Sequence, residues 1–366
     1  MTEIRLKSLA HSYLDKPSQA RDYAIREMDH VWQQGGAYAL LGPSGCGKST
    51  LLNIISGLLK PSQGKVMFDG HDVNHLGPEQ RNIAQVFQFP VVYDSMSVYD
   101  NLAFPLRNLK YPKNRIDKKV REIAEVLELS DVLDQRANNL SADAKQKISM
   151  GRGLVRHDVS AILFDEPLTV IDPHLKWKLR RKLKQIHEKF NITMVYVTHD
   201  QLEAATFADK IALMYEGQIV QFGTPQELFE TPEHTFVGYF IGSPGMNIID
   251  VALQDSGVVF DGIKVPLGEN LHAQLKQSDS RNIKIGIRPE FVLVSATPEP
   301  DSYRCELLDV DDLGSYKILS FALGQQTIYA RINESDPVPS AKAYLSFPEE
   351  WLKVYVNELL VREGPA

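Results

Sequence analysis

The feature that most constrains this chain is a glycine-rich loop between a short apolar strand and an apolar helix. Residues 38–41 predict a buried strand, and residues 51–55 carry the apolar side chains of the helix. This context is the one that a phosphate-binding loop requires. The loop consists of Gly42, Pro43, Ser44, Gly45, Cys46, Gly47, Lys48, Ser49 and Thr50. The motif predicts an α/β domain that binds the phosphates of a nucleotide.

Each residue type in the loop suits the binding of phosphate. Glycines let backbone N–H groups surround phosphate oxygens, and the N-terminus of the following helix adds partial positive charge. Lys48 is expected to reach the β- and γ-phosphates, and the Ser49 hydroxyl is expected to bind Mg²⁺. The predicted ligands are therefore a nucleotide and Mg²⁺.

Two further apolar strands end in polar residues, at 160–166 and at 195–200. The first ends in Asp165, a candidate for the Mg²⁺ contact, and Glu166, a candidate general base for the attacking water. The second ends in His199, which would donate a hydrogen bond to the γ-phosphate. Alone, a strand ending in two carboxylates is more often solvated, and a lone histidine is usually structural. The phosphate loop favours the functional interpretation, because α/β sheets bind ligands at this edge.

A helical insert is predicted at about residues 89–155, because residues 118–129 place apolar side chains three and four positions apart. Gln88 ends the strand before this insert. It is a candidate contact for both Mg²⁺ and the lytic water, and the alternative is an ordinary loop glutamine.

Length and pattern predict two domains. At 366 residues the chain exceeds the roughly 150 residues of one average domain. Strands and helices alternate up to about residue 214, which predicts a parallel sheet. After residues 242–245, short alternating runs such as 283–287 predict a β-rich domain. The expected domains span residues 1–243 and 244–366.

Charge and hydropathy exclude some classes of function. A formal net charge of −7 argues against nucleic acid as a partner. No window approaches the roughly 20 apolar residues that span a bilayer, so membrane association requires a partner protein. The two cysteines, Cys46 and Cys305, lie far apart in sequence, which fits a reducing compartment such as the cytosol.

The order of these motifs resembles that of the ABC transporter ATPases. Residues 231–237, 240–244 and 246–247 narrow the resemblance to maltose-type carbohydrate importer ATPases, and residues 286–290 continue it into the second domain. The resemblance implies an α/β P-loop NTPase domain with an antiparallel β subdomain and a helical insert. A β-rich OB-like (TOBE-type) regulatory domain follows it.

The resemblance also implies ligands and partners. ATP is the expected nucleotide, and Tyr13 is expected to stack on its adenine, although a core tyrosine is the alternative. The helical insert is expected to form a groove for a coupling helix of the membrane permease, most of all residues 93–105. A solute-binding protein would take part indirectly.

The chain departs from the family at the signature segment. The family has Leu-Ser-Gly-Gly-Gln, whereas this chain follows Leu140 with Ser141, Ala142, Asp143 and Ala144. A carboxylate about 5 Å from a phosphate charge is repelled by roughly 3 kcal/mol at an effective dielectric constant near 20. A second interpretation is compatible: Ser141 caps a helix and Asp143 complements its dipole. Residues 165–171 are also unusual before Asp172, the expected dimer contact.

These departures predict one half of an asymmetric heterodimer with a second ABC ATPase that has an intact signature. The expected location is the cytoplasmic face of a bacterial inner membrane, through the permease. The expected cargo is a sugar, a polyol such as glycerol, or a glycerol phosphate. A different P-loop NTPase or kinase is disfavoured by the order of Gln88, Asp165, Glu166 and His199. A non-hydrolysing regulatory scaffold remains the alternative.

Overall fold

The computed structural model describes residues 2–156, 158–254, 257–277, 282–339 and 342–362. The chain divides into two compact units, Met1–Pro225 and Gln226–Ala366. The second unit thus begins upstream of residue 244, where the sequence pattern places the start of the regulatory domain.

The first unit alternates strands and helices. Its strands are β1 (Ile4–His11), β2 (Ile25–Trp32), β3 (Ala37–Leu41), β4 (Gln63–Phe68), β5 (His71–Asp72), β6 (Ile83–Val86), β7 (Ala161–Asp165), β8 (Met194–Thr198), β9 (Lys210–Tyr215) and β10 (Gln218–Gly223). Its helices are α1 (Lys48–Ser56), α2 (Val98–Asn108), α3 (Lys113–Val126), α4 (Ala142–Leu154), α5 (Pro173–Phe190) and α6 (Gln201–Phe207). Helix α7 (Pro225–Glu230) begins at the boundary between the units.

The central sheet of this unit has the strand order β10-β9-β3-β8-β7-β6. Strands β3 and β6 to β9 run parallel, and β10 returns antiparallel to β9. Every residue of β3 and β8 is buried, as expected for a parallel sheet covered on both faces. The predicted parallel sheet is confirmed.

The register of the sheet brings the functional strand ends together. Leu41 at the end of β3 pairs with Thr198 at the end of β8, and Asp165 at the end of β7 pairs with Val197. The loops that follow these strands therefore leave the sheet at the same edge.

The same unit contains an antiparallel sheet with the order β2-β1-β4-β5. The hairpin between β4 and β5 turns at Asp69 and Gly70, and both residues have positive φ. One hydrophobic core joins this sheet, the central sheet and α1, and includes Leu6, Trp32 and Leu40.

Helices α2, α3 and α4 form the predicted helical insert between β6 and β7. Of the apolar side chains of α3 that the spacing selected, Val120, Ile123 and Ala124 are buried and Val126 is half-buried. Helices α2 and α4 pack closely at Gly151, where an added Cβ would lie 2.5 Å from Leu102 Cδ2.

The second unit is built mainly of antiparallel strands. They are β11 (Asn247–Gln254), β12 (Gly257–Phe260), β13 (Ile263–Pro266), β14 (Ile283–Ile287), β15 (Leu293–Ser295), β16 (Ser302–Asp312), β17 (Tyr316–Leu323), β18 (Gln326–Asn333), β19 (Lys342–Ser346), β20 (Lys353–Val356) and β21 (Leu359–Leu360). Helices α8 (Thr235–Phe240) and α9 (Glu269–Gln277) accompany them. The sheets have the orders β13-β12-β11-β14-β20-β21 and β15-β19-β16-β17-β18, around one core. The predicted β-rich domain is confirmed.

A buried arginine explains why this unit begins near residue 226. The Arg288 side chain is 1% exposed and donates hydrogen bonds to the carbonyl oxygens of Leu228, Phe229 and Ile241. Burial lowers the pKa of its guanidinium to about 10. These bonds attach residues 228–241 to the strands of the second unit.

Candidate functional site

The phosphate loop leaves the end of β3 and leads directly into α1. Helix α1 begins at Lys48, immediately after Gly47, which has a φ of 102°. A Cβ at Gly47 would lie 2.4 Å from the Ala24 carbonyl oxygen, so both space and backbone conformation require glycine here.

The Lys48 side chain lies inside its own loop. The residue is 6% exposed, and its Nζ donates hydrogen bonds to the carbonyl oxygens of Gly42 (2.8 Å) and Pro43 (2.9 Å). The ammonium group is thus held at the centre of the loop, beside the backbone that would surround a phosphate.

Ser49 and Asp165 form the first polar pair beside the loop. The Ser49 hydroxyl donates to Asp165 Oδ1 at 3.2 Å. Burial raises the pKa of the Asp165 carboxyl; the hydrogen bond from Ser49 opposes this rise, and the negative charge of Glu166 adds to it. A hydroxyl and a carboxylate oxygen this close fit a hard cation such as Mg²⁺, whose charge would favour the ionised carboxyl.

Glu166 and His199 form the second pair. His199 Nδ1 lies 3.2 Å from Glu166 Oε2, and the side chains are 56% and 20% exposed. The Glu166 backbone N–H donates to the Val197 carbonyl oxygen at 3.0 Å, which fixes the β7 end against β8. The carboxylate and the imidazole are therefore neighbours at this edge of the sheet.

Tyr13 and Gln88 lie in loops. Tyr13 is 66% exposed, so it is not a core tyrosine; its hydroxyl pairs with Thr50 Oγ1 at 3.1 Å, at the start of α1. The edge of its ring contacts His11. Gln88 lies two residues beyond the end of β6, and its side chain has no hydrogen bond within the described residues.

The degenerate signature forms a capped helix terminus. Ser141 Oγ accepts a hydrogen bond from the Ala144 N–H at 3.3 Å, and α4 begins at Ala142. Asp143 in the first turn forms an ion pair with Lys147 at 3.3 Å. The capping interpretation of this segment is thus correct. Asp172 likewise caps α5, because its side chain accepts from the His174 N–H at 2.9 Å.

Sequence reasoning missed two buried side chains near the site, Gln146 and Glu203. Gln146 is completely buried on α4, and Glu203 on α6 is 4% exposed. One signal for Gln146 was available: it stands four and seven positions before Met150 and Gly153, which are buried on the same helix face.

A groove of about 230 Å³ separates β6 from the helical insert. Of the stretch that the resemblance singled out, residues 93–105, Pro105 lines this groove. Its lining residues are Ile83, Ala84, Gln85, Phe87, Val91, Pro105, Ser149, Arg152, Gly153 and Arg156.

The described residues lack two kinds of feature. No helix in them combines the length and the apolar character needed to cross a membrane. In the same residues, no group of three or more His, Cys, Asp or Glu is arranged to hold a metal ion. A Mg²⁺ ion beside Ser49 and Asp165 would therefore need oxygen ligands from the nucleotide or water.

Comparisons with known proteins agree with the fold. Residues 25–169 match the family model "ABC transporter", and residues 242–292 match "MalK OB fold domain". The multiple sugar-binding transport ATP-binding protein MsmK of Streptococcus mutans is 38% identical over 368 residues, covering 95% of this chain and 96% of the relative. The sn-glycerol-3-phosphate import ATP-binding protein UgpC of Bordetella pertussis is 39% identical over 307 residues, covering 84% and 83%.

A solved structure has a similar fold over part of the chain. The protein cbiO1 of Clostridium perfringens, part of the ABC transporter complex cbiONQ, has a TM-score of 0.56 and 26% identity. The match covers 62% of this chain and 90% of the other. The chain described here therefore belongs to the family of ABC transporter ATP-binding proteins, as an ATPase subunit that carries a MalK-type OB domain.

Proposed function

We propose that this chain binds and hydrolyses ATP to energise the import of a sugar, a polyol such as glycerol, or a glycerol phosphate. The observation that carries the proposal is the pair of contacts beside the phosphate loop, Ser49 with Asp165 and Glu166 with His199. The names of MsmK and UgpC, a sugar and a glycerol phosphate transport protein, support this class of cargo.

The chemistry follows from the positions of these side chains. Glu166 takes a proton from the attacking water, and Gln88 orients that water. Lys48 and the loop N–H groups bind the phosphates, and His199 donates a hydrogen bond to the γ-phosphate. Mg²⁺, held by Ser49 and Asp165, would neutralise charge on the phosphate oxygens. Tyr13 stacks on the adenine.

The degenerate signature supports an asymmetric assembly. In this proposal each nucleotide lies between the phosphate loop of one ATPase subunit and the signature of the other. The phosphate loop of this chain is complete, whereas Asp143 places a carboxylate where its signature would approach the partner's ATP. The partner is therefore a second ABC ATPase with an intact signature, and Asp172 contributes to the contact between them.

The groove beside the helical insert supports a membrane permease as a further partner. The groove between β6 and the helical insert offers the apolar Ile83, Val91 and Pro105 beside Arg152, a composition suited to an amphipathic permease helix. The chain would then lie at the cytoplasmic face of the bacterial inner membrane, and a solute-binding protein would deliver the cargo.

The asymmetric model is tested with two matched lysine substitutions. Lys48→Ala in this chain should abolish transport, because only this phosphate loop faces an intact signature. The corresponding lysine substitution in the partner ATPase should reduce transport less. Equal loss of solute uptake in the two variants would contradict asymmetry, and undiminished uptake with Lys48→Ala would favour the non-hydrolysing regulatory scaffold.

The cargo is tested with the transporter reconstituted together with its solute-binding protein. ATP hydrolysis is measured with glycerol, sn-glycerol-3-phosphate and a panel of sugars. We expect one of these classes to stimulate hydrolysis. Stimulation only by a chemically unrelated solute, such as an amino acid, would contradict the proposed cargo class.

A further inference from the structure

The buried side chain of Gln146 connects two loops of the candidate ATP site, the loop after β6 and the loop after β7. Its side chain is completely buried, and its Nε2 donates hydrogen bonds to the carbonyl oxygens of Phe87 (3.1 Å) and Pro167 (2.9 Å). Phe87 immediately precedes Gln88, and Pro167 immediately follows Glu166. One amide group therefore holds the backbone next to both side chains that are assigned to the attacking water.

We propose that Gln146 is a positioning residue for ATP hydrolysis at the phosphate loop of its own chain. It fixes the distance between the loop that carries Gln88 and the loop that carries Glu166. This inference rests on the roles proposed above for those two residues, and it adds a residue that acts through the backbone beside them.

The chemistry of the bridge requires a primary amide. Its nitrogen carries two hydrogens, so a single side chain can donate to two carbonyl oxygens at once. A glutamate in its ionised form has no hydrogen to donate and would repel both carbonyls. Gln146 Oε1 is buried without a hydrogen-bond partner in the described residues, which costs free energy. The position of the side chain therefore satisfies both hydrogens of Nε2 and leaves Oε1 without a hydrogen bond in the described residues.

Two parts of α4 have different proposed roles, one toward the partner's nucleotide and one toward the ATP site of its own chain. The first turn, with Ala142, Asp143 and Ala144, would face the partner's nucleotide, and it has lost the residues that this task needs. Gln146 lies two residues beyond Ala144, and its two hydrogen bonds go to backbone beside the ATP site of its own chain. The helix can therefore lose its task toward the partner and keep its task toward its own ATP site, which explains how a degenerate signature coexists with a complete set of catalytic side chains.

The test uses the assembled transporter with Gln146→Met, which keeps the length and volume of the side chain but removes both donors. We expect kcat to fall about tenfold or more, because small misplacements of reacting groups have effects of up to about 100-fold. The Kd for ATP, measured on the same complex without turnover, should stay within about twofold, since Lys48 and its loop are untouched. Gln221→Met is the matched control, because Gln221 is a buried glutamine on β10, at the opposite edge of the sheet.

A double-mutant cycle identifies the route of the effect. Gln88→Ala and Gln146→Met should together cost less than the product of their separate effects, because both disturb the same water. Multiplicative losses, or a normal kcat for Gln146→Met, would overturn the inference. Glu166→Gln tests the proposed site separately from the role of Gln146. If this variant hydrolyses ATP normally, the proposed site is wrong, whatever Gln146→Met shows.

A second variant covers the case in which Gln146→Met does not assemble. Gln146→Asn keeps the amide but is one methylene shorter, so it cannot span both carbonyl oxygens. We expect its kcat to lie between those of the natural chain and Glu166→Gln, with unchanged ATP affinity. A kcat equal to that of the natural chain would overturn the inference by itself.

Discussion

The contact between Glu166 and His199 sets the first prediction at the scale of single residues. Glu166→Gln keeps the shape of the side chain but removes the proposed base, so hydrolysis should fall about 100-fold or more. ATP binding should be retained, because Lys48 and Ser49 lie on a different element. Hydrolysis by the assembled complex and ATP binding to it are the measurements. Glu188→Gln, an exposed carboxylate on α5, is the control; near-normal turnover of Glu166→Gln would exclude Glu166 as the base.

Asp165 sets a prediction about pH. Because burial raises its pKa in the folded protein, the ionised carboxyl destabilises the nucleotide-free state above that pKa. Asp165→Asn should therefore raise Tm at pH 7, and the gain should vanish as the pH falls through the raised pKa toward about 4, the ordinary value for aspartate. The same variant should lose the dependence of ATP binding on Mg²⁺.

An aspartate with the opposite shift serves as the control for this pH experiment. Backbone N–H groups of Ser18 and Gln19 lower the pKa of Asp22, so its ionised form stabilises the folded protein. Asp22→Asn should lower Tm at pH 7, and its effect should shrink as the pH falls below the ordinary value. If both variants shifted Tm in the same direction, the sign assigned to Asp165 would be wrong.

Local pattern marked Lys48 as a candidate because it belongs to the glycine-rich loop after β3. It marked Asp165, Glu166 and His199 because each stands in or directly after an apolar strand, and parallel strands end at one edge. It did not predict Gln146. The carbonyls that Gln146 contacts lie 59 and 21 residues away in sequence, so its role appears only when three segments pack together. Roles that depend on such long-range backbone contacts leave no local motif.

At the scale of elements, α5 shows why a basic helix need not be a binding surface. Its lysines look like an exposed positive face in the sequence. In the structure, Lys178 pairs with Glu128, Lys184 with Asp209 and Lys189 with Glu122. The charges therefore attach α5 to neighbouring segments, and the strand and helix pattern predicted the helix but not its partners.

Glu203 anchors α6 to both β8 and α5. Tyr196 and Thr198 on β8 each donate to Glu203 Oε2 at 3.0 Å, and Lys176 and Arg180 on α5 lie 3.5 and 3.7 Å from Oε1. Because β8 leads directly into His199, this buried carboxylate supports the end of the strand that precedes the proposed γ-phosphate contact.

Glu203→Leu should lower the free energy of unfolding by about 3 kcal/mol or more, because it leaves the buried Arg180 without its carboxylate. Adding Arg180→Leu should recover much of this loss, since the unpaired charge is then gone as well. Urea unfolding measures both effects. Arg121→Ala, which breaks an exposed ion pair with Asp117, should cost less than about 1 kcal/mol. A loss for Glu203→Leu no larger than that control would show that the network contributes little.

At the scale of the whole molecule, the sequence pattern predicted an α/β domain followed by a β-rich domain. The structure shows which residues begin the second compact unit. The switch from long helices to short strands located the β-rich domain near residue 244. Arg288 instead bonds to carbonyls between residues 228 and 241, which places that segment in the C-terminal unit. A pattern change marks where strands begin, whereas a compact unit also includes the helices that its side chains hold.

In the proposed asymmetric assembly, an intact site and a degenerate signature on one chain make its activity depend on the partner. Asp143 is held in the first turn of α4 by Lys147 and would face the partner's γ-phosphate. Replacing Ala142 and Asp143 with glycine and Ala144 with glutamine removes the repulsion and restores the close approach of backbone N–H groups to phosphate. The same change frees the Lys147 ammonium from its carboxylate partner.

The repaired chain should therefore gain an activity that the natural chain lacks when purified alone. We expect the natural chain to remain monomeric with Mg-ATP and to hydrolyse it slowly. The triple variant Ala142→Gly, Asp143→Gly, Ala144→Gln should dimerise with Mg-ATP, most visibly when Glu166→Gln stops turnover. Gel filtration with and without Mg-ATP measures this. Lys48→Ala added to the triple variant is the control and should abolish dimerisation. If the natural chain already forms an ATP-dependent dimer with rapid hydrolysis, Asp143 does not block closure and the asymmetric assembly loses its main support.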